Sequence, residues 1–302
     1  MDTTLRMMLN AIHVPRVEAT YGVSLHVVKS LPVTEGLRLV AETGFTQVEL
    51  PCSDTPLGRW WHAPKRMKRL LDSHGLRART VHAPQSGWNL DLPLHRERMR
   101  SIEAAWSVFQ PAAEVGAEIV VVHPNEATGH VFLPVMHDIN FARSVDSIGR
   151  LADRSAKLGM KMAVENMPTL GIPRPGCCVT DILDMVSGLG LHVGVCVDAG
   201  HVNANGDDAA EEARYAGERV FCVHIQDNDG RGEDQHLVPG DGTTRWTRFI
   251  NALDLFAPRA VRTLEVPRRH DTPRETLDAL AAVKHEWTHR RNRRLPALAP
   301  VN

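Results

Sequence analysis

What this sequence lacks narrows its function before anything it contains. Along its 302 residues no apolar stretch reaches the ~18 needed for a membrane span. The opening segment MDTTLRMMLNAIHVPR has neither a continuous apolar core nor a small-residue cleavage site, so the expectation is a cytoplasmic protein without membrane contact. The five cysteines, Cys52, Cys177, Cys178, Cys196 and Cys222, form no paired framework and no C-x-x-C, which points to free thiols in a reducing compartment. A formal net charge of −1 exerts no global pull on nucleic acid or an anionic membrane; the expected partner is a small or neutral molecule. No phosphate-binding or dinucleotide fingerprint appears, because GDGTTRW follows a loop instead of opening a first βα turn. Neither a low-complexity tract nor a shift in composition marks an internal boundary.

What is present is alternation. Short β-like runs occur at 21–28, 46–50, 77–83, 117–124, 161–167, 192–199, 220–227 and 261–267, separated by longer segments with helical spacing. In 34–44, Leu37, Val40 and Ala41 follow the i, i+3, i+4 rule and Gly44 supplies a stop. Further helices are expected at 98–116, 141–159, 179–190 and 273–287. Eight β-then-α units in roughly 250 residues match a (β/α)₈ TIM barrel, whereas a doubly wound sheet more often stops near five or six strands. The expected organisation is an extension at 1–20, one barrel at 21–288 and a basic tail at 289–302.

The polar residues then fall in a pattern. His82, His123, Glu165, Asp198, His224 and Glu265 lie at the ends of the third to eighth strands. In a barrel those ends converge on one rim, so residues scattered from 82 to 265 would share a cavity. Parity agrees: the residues two positions earlier, Thr80, Val121, Ala163, Cys196, Cys222 and Thr263, are small or medium and suit a barrel interior. This gives Cys196 and Cys222 a packing role. Acids and imidazoles at such density need a cation among them. Nitrogen and oxygen donors without thiolate suit manganese, cobalt, zinc or iron in the divalent state.

With VHAP, VVHP, VENMP, VDAGH, HIQDNDGRGEDQHLVPGDG and LEVP in view, the chain resembles the xylose isomerase-like barrel superfamily, in the branch shared by sugar-phosphate isomerases and epimerases and by endonuclease IV. The resemblance covers about residues 21–288, and the long segment after the seventh strand is its most specific part. It implies that Glu165, Asp198, His224 and Glu265 hold one divalent metal. The likeness to endonuclease IV adds His82, His123, His201, Asp234 and His236 as candidate ligands of a multinuclear zinc cluster. The isomerase likeness instead gives His201 to the substrate and sets Arg231 near the position of a substrate-binding arginine. Trp60, Trp61 and Trp88 lie in loops expected at the active-site end, where they could stack on sugar C–H faces.

Three functions compete. One is a metal-dependent sugar isomerase or epimerase working through an enediolate, with Glu165 and Glu265 moving the proton; a dehydratase or lyase acting on a ketosugar or keto-glycoside is its close variant. The second is an abasic-site DNA endonuclease. Net charge disfavours it, and the basic cluster Arg290, Arg291, Arg293 and Arg294, following a helix that runs back down the barrel, is expected on the face away from the metal. The third, a non-catalytic binder, would leave the paired carboxylates idle. The expected partner is a small carbohydrate; a homo-oligomer is compatible with the sequence.

Overall fold

The chain forms a closed barrel of eight parallel strands in sequential order, described here by a computed structural model for residues 19–84, 89–125, 134–171, 174–267 and 272–294. The strands are β1 (Tyr21–Ser24), β2 (Gln47–Pro51), β3 (Arg77–His82), β4 (Ile119–Val122), β5 (Lys161–Glu165), β6 (Val193–Asp198), β7 (Val220–Ile225) and β8 (Val261–Leu264). Between and after them lie α1 (Val33–Glu42), α2 (Pro64–Ser73), α3 (His95–Trp106), α4 (Phe109–Val115), α5 (His137–Lys157), α6 (Val179–Met185), α7 (Ala199–Ala204), α8 (Ala209–Ala216), α9 (Trp246–Phe256) and α10 (Pro273–Arg294). No helix of the described residues is long and apolar enough to cross a membrane.

The helices cover a belt of outward-facing aliphatic residues such as Val120, Val164, Val195 and Val223, each at most 1% exposed. A second, smaller apolar cluster of Ile119, Val121, Ala163, Cys196, Cys222 and Val261 fills the barrel interior. Here Cys196 and Cys222 face each other in register on β6 and β7. Both are fully buried, and burial pushes the Cys196 thiol well up, so it stays protonated and packs as a small apolar group.

Several local expectations change. β1 ends at Ser24 and continues as a 3-10 turn over Leu25–Val28, instead of running to 28. The single helix expected at 98–116 is two, α3 and α4, because Pro111 has no N–H to give the Ser107 carbonyl. α10 continues through Arg294, so Arg290, Arg291, Arg293 and Arg294 lie in its last turns instead of following it. Residues 1–18 and 295–302 of the expected extensions lie outside the described residues.

One buried charge ties the first strand to the last. Arg262 on β8 is fully buried and points into the helical layer, where it donates to the Tyr21 hydroxyl at 3.0 Å and to Asp254 on α9 at 2.6 Å. Its guanidinium also lies 5.4 Å from the centre of the Tyr21 ring. Removing one member of such a pair strands a charge, whereas replacing the cation with an apolar side chain of similar length does not. Asp254→Ala should therefore lower unfolding free energy by roughly 3 kcal/mol, and Arg262→Met by much less. Urea denaturation of both variants checks this; equal losses would contradict it.

Candidate metal centre

The strand register brings the expected rim residues together. His82, Glu165 and Asp198 close β3, β5 and β6, His224 is the penultimate residue of β7, and His123 and Glu265 directly follow β4 and β8. One ligand atom from each of Glu165, Asp198, His224 and Glu265 can be chosen so that all four lie within 4.8 Å of one another. All four side chains are at most 3% exposed. Two donors on opposite sides of an ion at ~2.1 Å stand about 4.2 Å apart, so the spacing fits a shared divalent cation.

The hydrogen bonding fits as well. Asp198 Oδ2 and Glu265 Oε1 are buried without a hydrogen-bond partner, an arrangement that is costly unless an ion or another polar group meets them. The other oxygen of Asp198 is occupied: Oδ1 accepts the His201 N–H at 2.8 Å, capping α7, and the Gln226 amide at 3.2 Å. His224 Nδ1 lies 3.0 Å from both Glu165 Oε1 and Glu265 Oε2.

Two further groups adjoin this one. Glu165 Oε2 lies 3.1 Å from His82 Nε2 and 3.2 Å from His123 Nε2, so one carboxylate faces His224 with one oxygen and this imidazole pair with the other. On the other side His201, Asp234 and His236 converge, with Asp234 Oδ2 3.3 Å from His201 Nε2 and 3.1 Å from His236 Nε2. The outer ring nitrogens are held by backbone: His82 Nδ1 by the Ala83 carbonyl, His201 Nδ1 by Asn166 and His236 Nδ1 by Glu265, at 2.7, 2.8 and 2.9 Å. Such bonds fix ring orientation and leave the inner nitrogen for a ligand.

Electrostatics follow from crowding charges in a dry place. Burial opposes charge on His82, but the hydrogen bond and charge of Glu165, with Glu265 and Glu49 behind it, push its pKa up to about 9. His236 is likewise pushed up to about 9 against its burial by Asp234, and His201 and His224 rise well above their ordinary range against burial because of facing carboxylates. Burial raises Asp198 to about 6. Glu165 and Glu265 fall despite their burial, chiefly because of His224. His123 is lowered by burial, which outweighs its contact with Glu165.

The segment after β7 is built by Asp227. Its Oδ2 accepts from the backbone of Gly240 at 2.8 Å and of Gly242 at 3.1 Å and from the Trp246 indole at 2.8 Å, while Oδ1 accepts from Thr244 at 3.1 Å. Gly242 is required, since a Cβ there would stand 2.2 Å from the Asn228 carbonyl oxygen. The loop thus folds back and presents Asp234 and His236, the latter in a left-handed conformation (φ 49°) that non-glycine residues rarely adopt.

Other expected residues fall elsewhere. Trp60 is a correction: it occupies a 3-10 turn, is 3% exposed within the hydrophobic core and donates its indole N–H to the Pro51 carbonyl at 3.1 Å, so it packs in the core. Trp61, its neighbour, is half-buried with its ring 5.0 Å from that of His62. Arg231 is exposed on the loop after β7. Trp88 lies outside the described residues. The sequence reading missed Glu49, fully buried on β2 with Oε2 3.0 Å from His224 Nε2, and His26, whose Nδ1 is 3.7 Å from Glu265. For Glu49 a signal existed, since it faces inward from its strand as the rim acids do.

Comparison with known proteins places this geometry in context. The family described as xylose isomerase-like TIM barrel matches residues 37–285. MJ1311 of Methanocaldococcus jannaschii, an uncharacterized protein, is 27% identical over 260 residues, 81% of this chain and 83% of that one. Among solved structures, a D-tagatose 3-epimerase-like protein superposes with a TM-score of 0.75 at 23% identity, covering 90% of this chain and 99% of its own. The IolI protein with a bound zinc atom gives 0.74 at 18% identity, covering 90% and 98%. At these identities the two structures share the fold.

The shifts on the imidazoles carry a stability consequence for metal-stripped protein. His82 and His236 hold a proton more tightly folded than unfolded, so this stabilisation is complete below about pH 6.5 and lost as pH rises through about 9. The thermal midpoint of chelator-treated protein should fall across that window. A flat profile would show that the facing carboxylates do not hold these imidazoles as cations.

Proposed function

The chain belongs to the xylose isomerase-like TIM barrel family, and from that premise we propose that it is a divalent-metal-dependent isomerase or epimerase of a sugar. The observation that carries the reading is the convergence of Glu165, Asp198, His224 and Glu265, with two buried carboxylate oxygens that accept no hydrogen bond, at the mouth where barrels of this kind do their chemistry. The likeness to a D-tagatose 3-epimerase-like structure supports the substrate class, and the zinc in the IolI structure supports the cofactor class. Nitrogen and oxygen donors suit zinc, manganese, cobalt or iron.

A divalent ion held by these four residues would supply a Lewis acid to polarise a sugar carbonyl and ease loss of the neighbouring carbon-bound proton. The chain supplies the proton carriers. Glu165 and Glu265 each approach His224 Nδ1 at 3.0 Å, so both belong to the ligand group and are the two carboxylates in place to take and return the proton. An imidazole stands behind each acid, His26 at Glu265 and His82 with His123 at Glu165, which steadies the carboxylate charge between turnovers. His201 and Arg231 are the groups for substrate hydroxyls. With a leaving group on the β-carbon, the same proton removal becomes elimination, and the enzyme is a lyase.

A second reading rests on a specific observation. Glu165 has each oxygen on a different ligand group, and His201, Asp234 and His236 form a third. That arrangement suits a multinuclear zinc cluster cleaving a phosphodiester, as the resemblance to endonuclease IV implies. Against it, the net charge is −1 and the basic cluster lies at the end of α10, a helix running away from the mouth.

Two assays on metal-loaded protein separate the readings. Solvent deuterium should enter a ketosugar such as D-tagatose, D-fructose or a congener, and Glu165→Gln or Glu265→Gln should slow that exchange by about 10²–10⁴. An abasic oligonucleotide should remain intact. Nicking without exchange would replace the first reading by the second, and full exchange in both variants would remove the two glutamates from the proton path.

A further inference from the structure

We propose that Glu49 is the positioning residue of the metal centre: its carboxylate sets which nitrogen of His224 faces the ion and strengthens that nitrogen as a donor. This rests on the metal-centre reading above. Glu49 lies on β2 and His224 on β7, two strands separated around the barrel by β1 and β8. The Cα of Glu49 pairs with Thr80, one inward-facing layer below His82, and not with the rim itself. From that lower layer its Oε2 reaches His224 Nε2 at 3.0 Å. Both residues are fully buried.

The two nitrogens of His224 thus meet different surroundings. Nδ1 faces Glu165 and Glu265 at the ligand group, and Nε2 faces Glu49 on the opposite side of the ring. An imidazole donating Nε2–H to a carboxylate keeps the Nδ1 lone pair for an ion, and the anion behind the ring makes that lone pair a better donor. Thr80 completes the device. Its hydroxyl donates to the same Oε2 at 2.8 Å from the neighbouring strand, so that oxygen is held between Thr80 and His224. Glu49 acts through the ring; the chain Thr80, Glu49, His224 is a fixed strut under the site.

The test uses the full chain stripped of metal and titrated with cobalt(II), followed by visible absorption. The relevant binding event is the one lost in His224→Ala. Glu49→Gln keeps the side-chain shape and an acceptor oxygen but removes the charge, and should weaken that event about 10- to 100-fold and alter its absorption band. Thr80→Val should shift affinity in the same direction by less. Near-ultraviolet circular dichroism of both variants should match the parent. Parental affinity and an unchanged band in Glu49→Gln would overturn the inference while leaving the metal centre standing. A parent chain that takes up no cobalt would overturn both. Should Glu49→Gln not fold, the tautomer of His224 in zinc-loaded parent protein decides by long-range proton–nitrogen correlation. A proton on Nε2 supports the inference, and a proton on Nδ1 refutes it.

Discussion

A carboxylate with no access to water must meet positive charge or a proton, and Glu165 is where this chain concentrates that demand. It is 1% exposed, and its oxygens lie within 3.6 Å of His82, His123, His201 and His224, contributed by four separate units of the barrel. Each contact exists only if β3 to β7 keep their order and register. The apolar layer below, with Val121, Ala163, Cys196 and Cys222, is narrow enough to let the polar layer close over it. Ordinary hydrophobic packing positions a set of charges that would not assemble alone, and the charges in turn call for a cation.

The same logic extends outward through the loops. Asp227 gathers the segment after β7 by four bonds from Gly240, Gly242, Thr244 and Trp246, and an isolated pairing of Asp227 with Leu237 closes it. His236 accepts an unfavourable backbone conformation inside that framework, and its bond to the Glu265 carbonyl links the third ligand group to the first. Gln226 adds a second link. Its amide donates to Asp198 at 3.2 Å and Asp234 at 2.8 Å, so each aspartate has one oxygen tied and the other turned to its own ligand group. Gly200 leaves room for that amide, since a Cβ there would stand 2.0 Å from it.

Much of this was legible in the sequence because two periodicities govern it. Alternating strands and helices gave eight units, and parity along each strand placed the acids and imidazoles on the inward face at one end. Glu49 escaped because its strand ends on Pro51 and its carboxylate works from the layer below, a fact set by the irregular β2 to β3 register that no single strand discloses. Trp60 lies in a 3-10 turn and turns into the core, a direction that its place in the loop after β2 does not disclose. The break between α3 and α4 was written in Pro111, but a continuous apolar period masked it. The hydrogen-bond web of Asp227 involves residues up to 19 positions away and depends on a loop path, not on a period.

The central claim is that Glu165, Asp198, His224 and Glu265 share a divalent ion. Anomalous diffraction from crystals grown with zinc, recorded on both sides of the metal's absorption edge, tests it without reference to any substrate. The account predicts a peak within about 2.3 Å of one atom from each of the four residues, with His224 presenting Nδ1. Crystals whose zinc lies only elsewhere, with these four side chains bonded to one another and no peak between them, would contradict it.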